Sequence, residues 1–379
     1  MEGRLLRDAL GHLPAHLISR EPLGSGTVAG FAVGDDQPST TTYFVDTSRL
    51  AVSRETGLAH GDDPKHPDAR IWLHPADPHL PALAAAAFGH AAEALLARLG
   101  LVACGPIHMV GYRPGRRAVL RASVEDGDAW IKVVRPSRVA RIVRAHRACV
   151  DAGLPVPDLR GWSPDGLLVL DAASGVPASE RDSSPTALLS AVDDLRGQVE
   201  RIPWSEPIRS IASRLPWYAA RLDREAEGAL AVELITSRLA SVTPHAHITV
   251  HGDLHYGQLF FQDGEITGLI DVDGLGRGAP AEDPAAFIAH AIASAHLTPD
   301  PYAQRVWELA DAALARWEED PAVRPYAAIH LLGHAIAAGD LGDRTGADLL
   351  IECAIRLVEG GAASRDPGKN PLTHRFESA

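Results

Sequence analysis

Cysteine is scarce. Cys104, Cys149 and Cys353 stand far apart in 379 residues and form no C-x-x-C pair. An odd, scattered set builds neither a disulfide framework nor a zinc knuckle, and it predicts a reducing, cytoplasmic setting. Long apolar runs are also missing. The most apolar stretch, Leu80 to Cys104, is interrupted by His90, Glu93 and Arg98. It is too polar for a membrane span and reads as an amphipathic helix. The first residues carry Glu2, Arg4, Arg7, Asp8 and His12 without an apolar core, so no signal peptide is expected there. Positive charge is in deficit. A formal net charge of −13 excludes nucleic-acid binding by bulk electrostatics and gives no reason to expect an anionic membrane surface as partner. Neither an internal repeat nor a low-complexity tract is present.

What is there suits a globular α+β chain. Hydrophobic residues make up 46%, which at this length provides core for two or three compact units. Four regions are expected. Residues 1–102 form an appended, cap-like region, with strand-like runs at Gly26 to Val33 and Thr41 to Val45. Gly24-Ser25-Gly26 is a turn, Glu55 to Pro67 a polar loop, and Leu80 to Leu99 an alanine-rich helix. Residues 103–171 form a small sheet-rich lobe. Its meander runs through Ile107 to Tyr112, Arg117 to Val124 and Ala129 to Val134. A helix follows from Ser137 to Ala152, capped by Ser137 and closed by Gly153, then a strand over Gly166 to Leu170. Residues 172–364 form a helical lobe, with helices at Thr186 to Arg201, Ile208 to Asp223, Glu225 to Ser241 and from Pro284 on. They are interrupted by strands around a tight loop between Ile248 and Asp273. Gln262-Asp263-Gly264-Glu265 is a hairpin signal inside that interruption. Residues 365–379 read as a loose polar tail.

The chemistry concentrates in the interruption. It reads His251-Gly252-Asp253-Leu254-His255-Tyr256-Gly257-Gln258, then Ile270-Asp271-Val272-Asp273. Phosphoryl transfer needs a carboxylate to orient and deprotonate the attacking hydroxyl. It also needs hard oxygen ligands to hold Mg²⁺ on the phosphates. In protein kinases the catalytic-loop Asp precedes a metal-binding Asn by five residues. Asp253 precedes Gln258 by the same interval, and the hairpin returns the chain to Asp271.

HGDLHYGQ followed by IDVD resembles the motif of the aminoglycoside phosphotransferase and choline kinase family, H-G-D-x-H-x-x-N and then I-D. The resemblance covers roughly residues 110–359. It implies a bilobal protein-kinase-like fold, ATP and Mg²⁺ as cofactors, and a small-molecule hydroxyl as acceptor. It makes Asp253 the catalytic base, His255 a brace of the loop, Asp271 and Gln258 the metal ligands, and Asp283 a structural brace. Lys132, within the strand Trp130 to Val134, takes the place of the lysine that contacts the nucleotide phosphates. Arg116 is a candidate phosphate contact in a turn that is not glycine-rich. Asp171 and Ala172 stand where the family's hinge binds adenine through backbone groups.

Two residues depart from the family pattern. Gln258 replaces the Asn, offering the same amide oxygen on a longer arm. This version of the motif resembles that of maltokinases and related bacterial sugar kinases, which favours a sugar or amino sugar as acceptor. The helix after Lys132 carries no glutamate to pair with it. Arg138, Arg141, Arg144 and Arg147 form a stripe there, read as a solvated face. Three alternatives stand beside this reading. An aminoglycoside phosphotransferase would use late acidic residues such as Asp340, Asp343, Asp348, Glu352 and Glu359. A nucleotide-binding pseudokinase is the second. The third is a metal-dependent hydrolase built on His251, His255, Asp271 and Asp273. His290 and His296 are expected to be ordinary helix histidines, and Trp204 and Trp217 to pack rather than stack on a sugar.

Overall fold

The structure is a computed structural model that describes residues 1–11, 14–34, 41–63, 65–222, 226–243, 245–299 and 301–363. The polar tail expected from Arg365 lies outside the described residues. The chain forms two compact units. One comprises Met1–Arg144 with Pro157–Ala172, the other Ala145–Val156 with the residues from Ala173 onward.

The first unit holds two five-stranded antiparallel sheets. Helix α1 (Glu2–Leu10) precedes β1 (Ala15–Leu23), β2 (Gly26–Val33), β3 (Thr41–Asp46), β4 (Leu58–His60) and β5 (Ala69–Leu73), arranged β1-β2-β3-β5-β4. Ala29, Phe31 and Val33 pack on Leu6 of α1, while Val28 turns the other way onto Phe44 and Trp72. Both faces of β2 are therefore covered, which is why it reads as an unbroken apolar run. The alanine-rich stretch is two helices, α2 (Leu83–Ala87) and α3 (Gly89–Arg98), because Phe88 adopts extended backbone between them.

The second sheet contains β6 (His108–Arg113), β7 (Arg117–Val124) and β8 (Gly127–Val134). Helix α4 (Pro136–Asp151) follows, then β9 (Leu159–Ser163) and β10 (Leu167–Asp171), with strand order β6-β7-β8-β10-β9. The meander expected from the sequence is present, enlarged by β9 and β10. Its inner face, Ala118, Leu120, Ile131, Val133 and Val169, is covered by Leu80, Leu83, Ala86 and Leu96. Residues 1–102 thus supply the lid of this sheet's core. Helix α4 starts one residue earlier than expected, at Pro136, so Ser137 lies inside its first turn rather than capping it. A proline is suited to that first position because its missing N–H would be unpaired there anyway. Gly153, at φ 75°, closes the helix as expected.

The second unit is mostly helical. Its elements are β11 (Val176–Pro177), α5 (Pro185–Glu200), α6 (Leu215–Leu222), α7 (Ala226–Ala240), β12 (Ile248–Val250), β13 (Leu259–Gln262), β14 (Glu265–Leu269), β15 (Gly276–Gly278), α8 (Glu282–Leu297), α9 (Tyr302–Trp317), α10 (Val323–Asp340) and α11 (Arg344–Val358). The hairpin β13–β14 turns at Asp263 (φ 52°) and Gly264 (φ 93°), the two positive dihedrals that a tight hairpin needs and that Asp-Gly supplies. Helix α8 is buried almost all round, from Glu282 to Ala295. Such a helix is the axis of a core, not a surface element. Among the described residues no helix is long and apolar enough to cross a membrane.

Candidate active site

The Asp253 loop is fixed from behind by a buried carboxylate. β12 pairs with β15, and the chain leaves β12 through His251 and Gly252. Asp283, in the first turn of α8 and 2% exposed, accepts the His251 N–H at 2.8 Å and the Gly252 N–H at 2.7 Å. Gly252 sits at φ 87°, and a Cβ there would lie 2.8 Å from the Gly274 carbonyl oxygen. Only glycine makes this turn without strain. It delivers Asp253 to the surface, with its side chain 54% exposed.

An imidazole cluster stands beside Asp253. His290 of α8 places Nε2 3.4 Å from Asp253 Oδ1. Its ring stacks on His255 at 4.3 Å and 24°, and meets His334 of α10 edge-on at 4.7 Å. His330, one turn earlier on α10, lies 6.3 Å away. Burial pushes the Asp253 carboxyl up, but the hydrogen bond from His290 and the neighbouring imidazoles outweigh it and hold it below the ordinary aspartate value. Burial lowers His255 and His334 to about 4 and His330 to about 3. Those three rings are neutral at pH 7.

Gln258 closes the loop on itself. In the short turn Tyr256–Gln258 the His255 side chain accepts the Gln258 N–H, and Gln258 Oε1 accepts the His255 N–H at 3.0 Å. The Ile270 N–H then donates to the Gln258 carbonyl at 3.1 Å, bringing the next residue, Asp271, up against this turn. Asp271 takes a left-handed backbone, φ 62° and ψ 41°, which aspartate tolerates better than most residues and which recurs at functional sites. A carboxylate and an amide oxygen are the hard donors that Mg²⁺ selects, and an amide oxygen has a second lone pair beyond the one given to His255. The donor set fits Mg²⁺.

Lys132 lies half-buried in β8, paired with Val119 and Leu168. Arg116 bonds the Pro22 carbonyl and stands 3.6 Å from Glu21, so its guanidinium is engaged by the N-terminal region. Asp171 is held by Arg160 at 2.7 Å. Its N–H donates to the Asp158 carbonyl and that of Ala172 to the Asp128 carbonyl. Those two donors are committed within the sheet. Arg138, Arg144 and Arg147 are exposed, Arg141 is half-buried, and His146 is buried on the opposite side of α4. Trp204 packs against the helical core, and Trp217 lies under Arg221. Asp343 caps α11, and Asp340 pairs with Arg221.

The expectation of an ordinary helix histidine holds for His296, which packs edge-on to Trp307. It does not hold for His290. His330 and His334 also escape a linear reading, although their spacing of four on one helix face is a usable signal. The hydrolase alternative needs a ligand cluster, and among the described residues no group of three or more His, Cys, Asp or Glu is placed to hold a metal ion. Beyond Tyr256 opens a cavity of about 710 Å³, lined by Arg181, Leu188, Tyr302 and Arg305 among others.

No protein-family model and no curated protein matches the chain. Solved structures do. The apo form of a thermostable mutant of aminoglycoside phosphotransferase APH(4)-Ia aligns with a TM-score of 0.54 and 15% identity, over 71% of this chain and 99% of that one. A ternary complex of the same protein with ADP and hygromycin B aligns at 0.51 and 15%, over 70% and 97%. A macrolide 2'-phosphotransferase from Brachybacterium faecium aligns at 0.44 and 20%, over 69% and 97%. The fold is the bilobal, kinase-like fold of the aminoglycoside phosphotransferases. It has a sheet-rich lobe, a helical lobe and an appended N-terminal α+β region.

Proposed function

We propose that the chain is a phosphotransferase that moves the γ-phosphoryl group of ATP, with Mg²⁺, to a hydroxyl of a small molecule. The observation that carries this is the loop itself. Asp253 is presented at the surface by two Asp283 hydrogen bonds, five residues before Gln258, with Asp271 brought alongside. Asp253 would take the proton of the acceptor hydroxyl as its oxygen forms the new P–O bond. The bond from phosphorus to the β,γ-bridging oxygen breaks, and ADP leaves with that oxygen. Gln258 and Asp271 would hold the metal, which neutralises phosphate charge when bound. Lys132 would contact the nucleotide phosphates, and Arg116, Asp171 and Ala172 are secondary candidates in the same unit.

The acceptor we favour is a sugar or amino sugar. Gln258 in the Asn position resembles the motif of bacterial sugar kinases. The cavity beyond Tyr256 has the size, the tyrosine rings and the arginine donors that a polyhydroxylated molecule uses. A second reading, an aminoglycoside acceptor, is favoured by the fold shared with the hygromycin B complex. The test is Mg²⁺-dependent ADP release against separate pools of sugars, amino sugars and aminoglycosides, with Asp253→Asn as control. Stimulation by a sugar pool that the variant loses supports the reading. Stimulation by aminoglycosides alone replaces the acceptor. ATP binding without turnover in any pool, and with wild-type basal hydrolysis no faster than the variant's, makes the chain a pseudokinase.

A further inference from the structure

We propose that His290 is a positioning residue for Asp253, and that His330 and His334 on α10 hold it in that role. The inference rests on Asp253 being the catalytic base. Three observations meet here. First, Asp283 fixes the backbone of the Asp253 loop but does not touch the Asp253 carboxylate, which is 54% exposed. Among the described residues the side chain within ion-pair distance of that carboxylate is His290, at 3.4 Å. Second, His290 occurs in a helix whose other residues from Pro284 to Ala293 are all apolar. An apolar side chain would pack there at less cost, since even a half-buried polar ring must be repaid by partners. Third, the His290 ring is confined on three sides by imidazoles. It is stacked on His255, edge-on to His334 and tilted to His330. Its orientation is therefore set by neighbours on two elements other than its own, the catalytic loop and α10.

The consequence is chemical. A carboxylate that acts as a base needs one oxygen free and aimed at the acceptor hydroxyl. His290 donating Nε2–H to Oδ1 leaves Oδ2 for that task and removes the rotamers in which neither oxygen is aimed. Catalytic hydrogen bonds are often long before substrate binds and shorten in the reacting complex, which suits a 3.4 Å separation. A misplaced reacting group costs up to about a hundredfold in rate.

The test compares His290→Leu, which keeps bulk and loses the donor, with His290→Gln, which keeps an amide donor at similar reach. Turnover is read as acceptor-stimulated or basal Mg²⁺-dependent ADP release. The expected result is that His290→Leu lowers kcat by about tenfold to a hundredfold with KM for ATP unchanged, and that His290→Gln recovers most of the loss. His334→Leu should give a smaller loss of the same kind. Carboxyl-carbon NMR titration of Asp253 in each variant gives a readout that needs no turnover. Asp253 should titrate at higher pH in His290→Leu than in the wild type, and return in His290→Gln. Urea unfolding confirms that each variant is folded. An unchanged kcat in His290→Leu, while Asp253→Asn is inactive, overturns the positioning role and leaves the phosphotransferase reading intact. An unchanged Asp253 titration overturns it whether or not turnover is found. If Asp253→Asn turns over like the wild type, the base assignment fails, and the proposal fails with it.

Discussion

Asp77 Oδ2 accepts the Gly115 N–H at 2.7 Å, so a buried carboxylate 38 residues upstream holds the turn between β6 and β7. The same oxygen accepts the Tyr112 hydroxyl at 2.9 Å, Oδ1 accepts the His79 N–H, and Arg135 binds the Gly115 carbonyl from the other side. Asp77→Ala would leave three donors buried without an acceptor. At ~1–3 kcal/mol for each stranded group, the loss should be about 3 kcal/mol or more. Urea unfolding measures it, and a loss under ~1 kcal/mol would mean that water replaces the carboxylate. Asp77→Asn, which keeps an acceptor oxygen, should cost less.

Asp283 tests the loop scaffold separately from the chemistry. An asparagine there has one acceptor oxygen for two N–H groups, so either His251 or Gly252 loses its bond. Asp283→Asn should lower kcat by about tenfold or more while the chain stays folded, because the loop's direction is set by both bonds. Asp283→Ala should add a loss of about 2 kcal/mol in stability. Wild-type kcat in Asp283→Asn would show that the β12–β15 pairing alone sets the loop.

How much of this was legible in the sequence depends on the range of the contact. The meander, the Asp-Gly hairpin and the Asp253–Gln258–Asp271 grouping are local patterns, written in spacing and turn chemistry. Strands β1, β4 and β5 were missed because their apolar positions are mixed with charge, as in His16-Leu17-Ile18-Ser19-Arg20. The break at Phe88 was missed because alanine favours helix on both sides of it, so only the backbone at Phe88 marks the interruption. His290, His330 and His334 are ordinary in isolation. Their meaning comes from α8 and α10 packing side by side over the loop, a juxtaposition across 37 to 81 positions that no local pattern encodes.

The same histidines make stability depend on pH with a definite sign. Their folded values, about 4 for His255 and His334 and about 3 for His330, lie below the 6.5 of a free imidazole. Between those values the unfolded chain binds protons that the folded chain refuses, so stability falls as pH drops from 6.5 toward 4. Each imidazole contributes on the order of 2 kcal/mol between pH 6.5 and pH 5. The groups facing His330 are His290, His334, Asp253 and Arg214. His330→Gln should flatten the acid side of the stability profile. Identical slopes in wild type and variant would mean that the ring is protonated in the folded state.

Gln258 carries two duties that substitutions can separate. Its Oε1 accepts the His255 N–H, and the proposed function adds a metal to the same oxygen. Gln258→Ala removes both, so it should cost ~1–2 kcal/mol in stability and raise the Mg²⁺ needed for half-maximal turnover by about tenfold. Asp271→Ala removes the carboxylate that the proposed function gives to the metal. It should raise the Mg²⁺ requirement at least as far, and weaken Mg·ATP binding in calorimetry. Gln258→Asn is the sharper probe. The shorter arm can no longer span the turn to His255 in the same way, yet it still offers an amide oxygen. A variant that keeps its Mg²⁺ requirement but loses stability would assign Gln258 to the turn and leave the metal to Asp271. A variant that is stable but needs more Mg²⁺ would assign the amide oxygen to the metal. A Mg²⁺ requirement unchanged in all three would place the metal elsewhere.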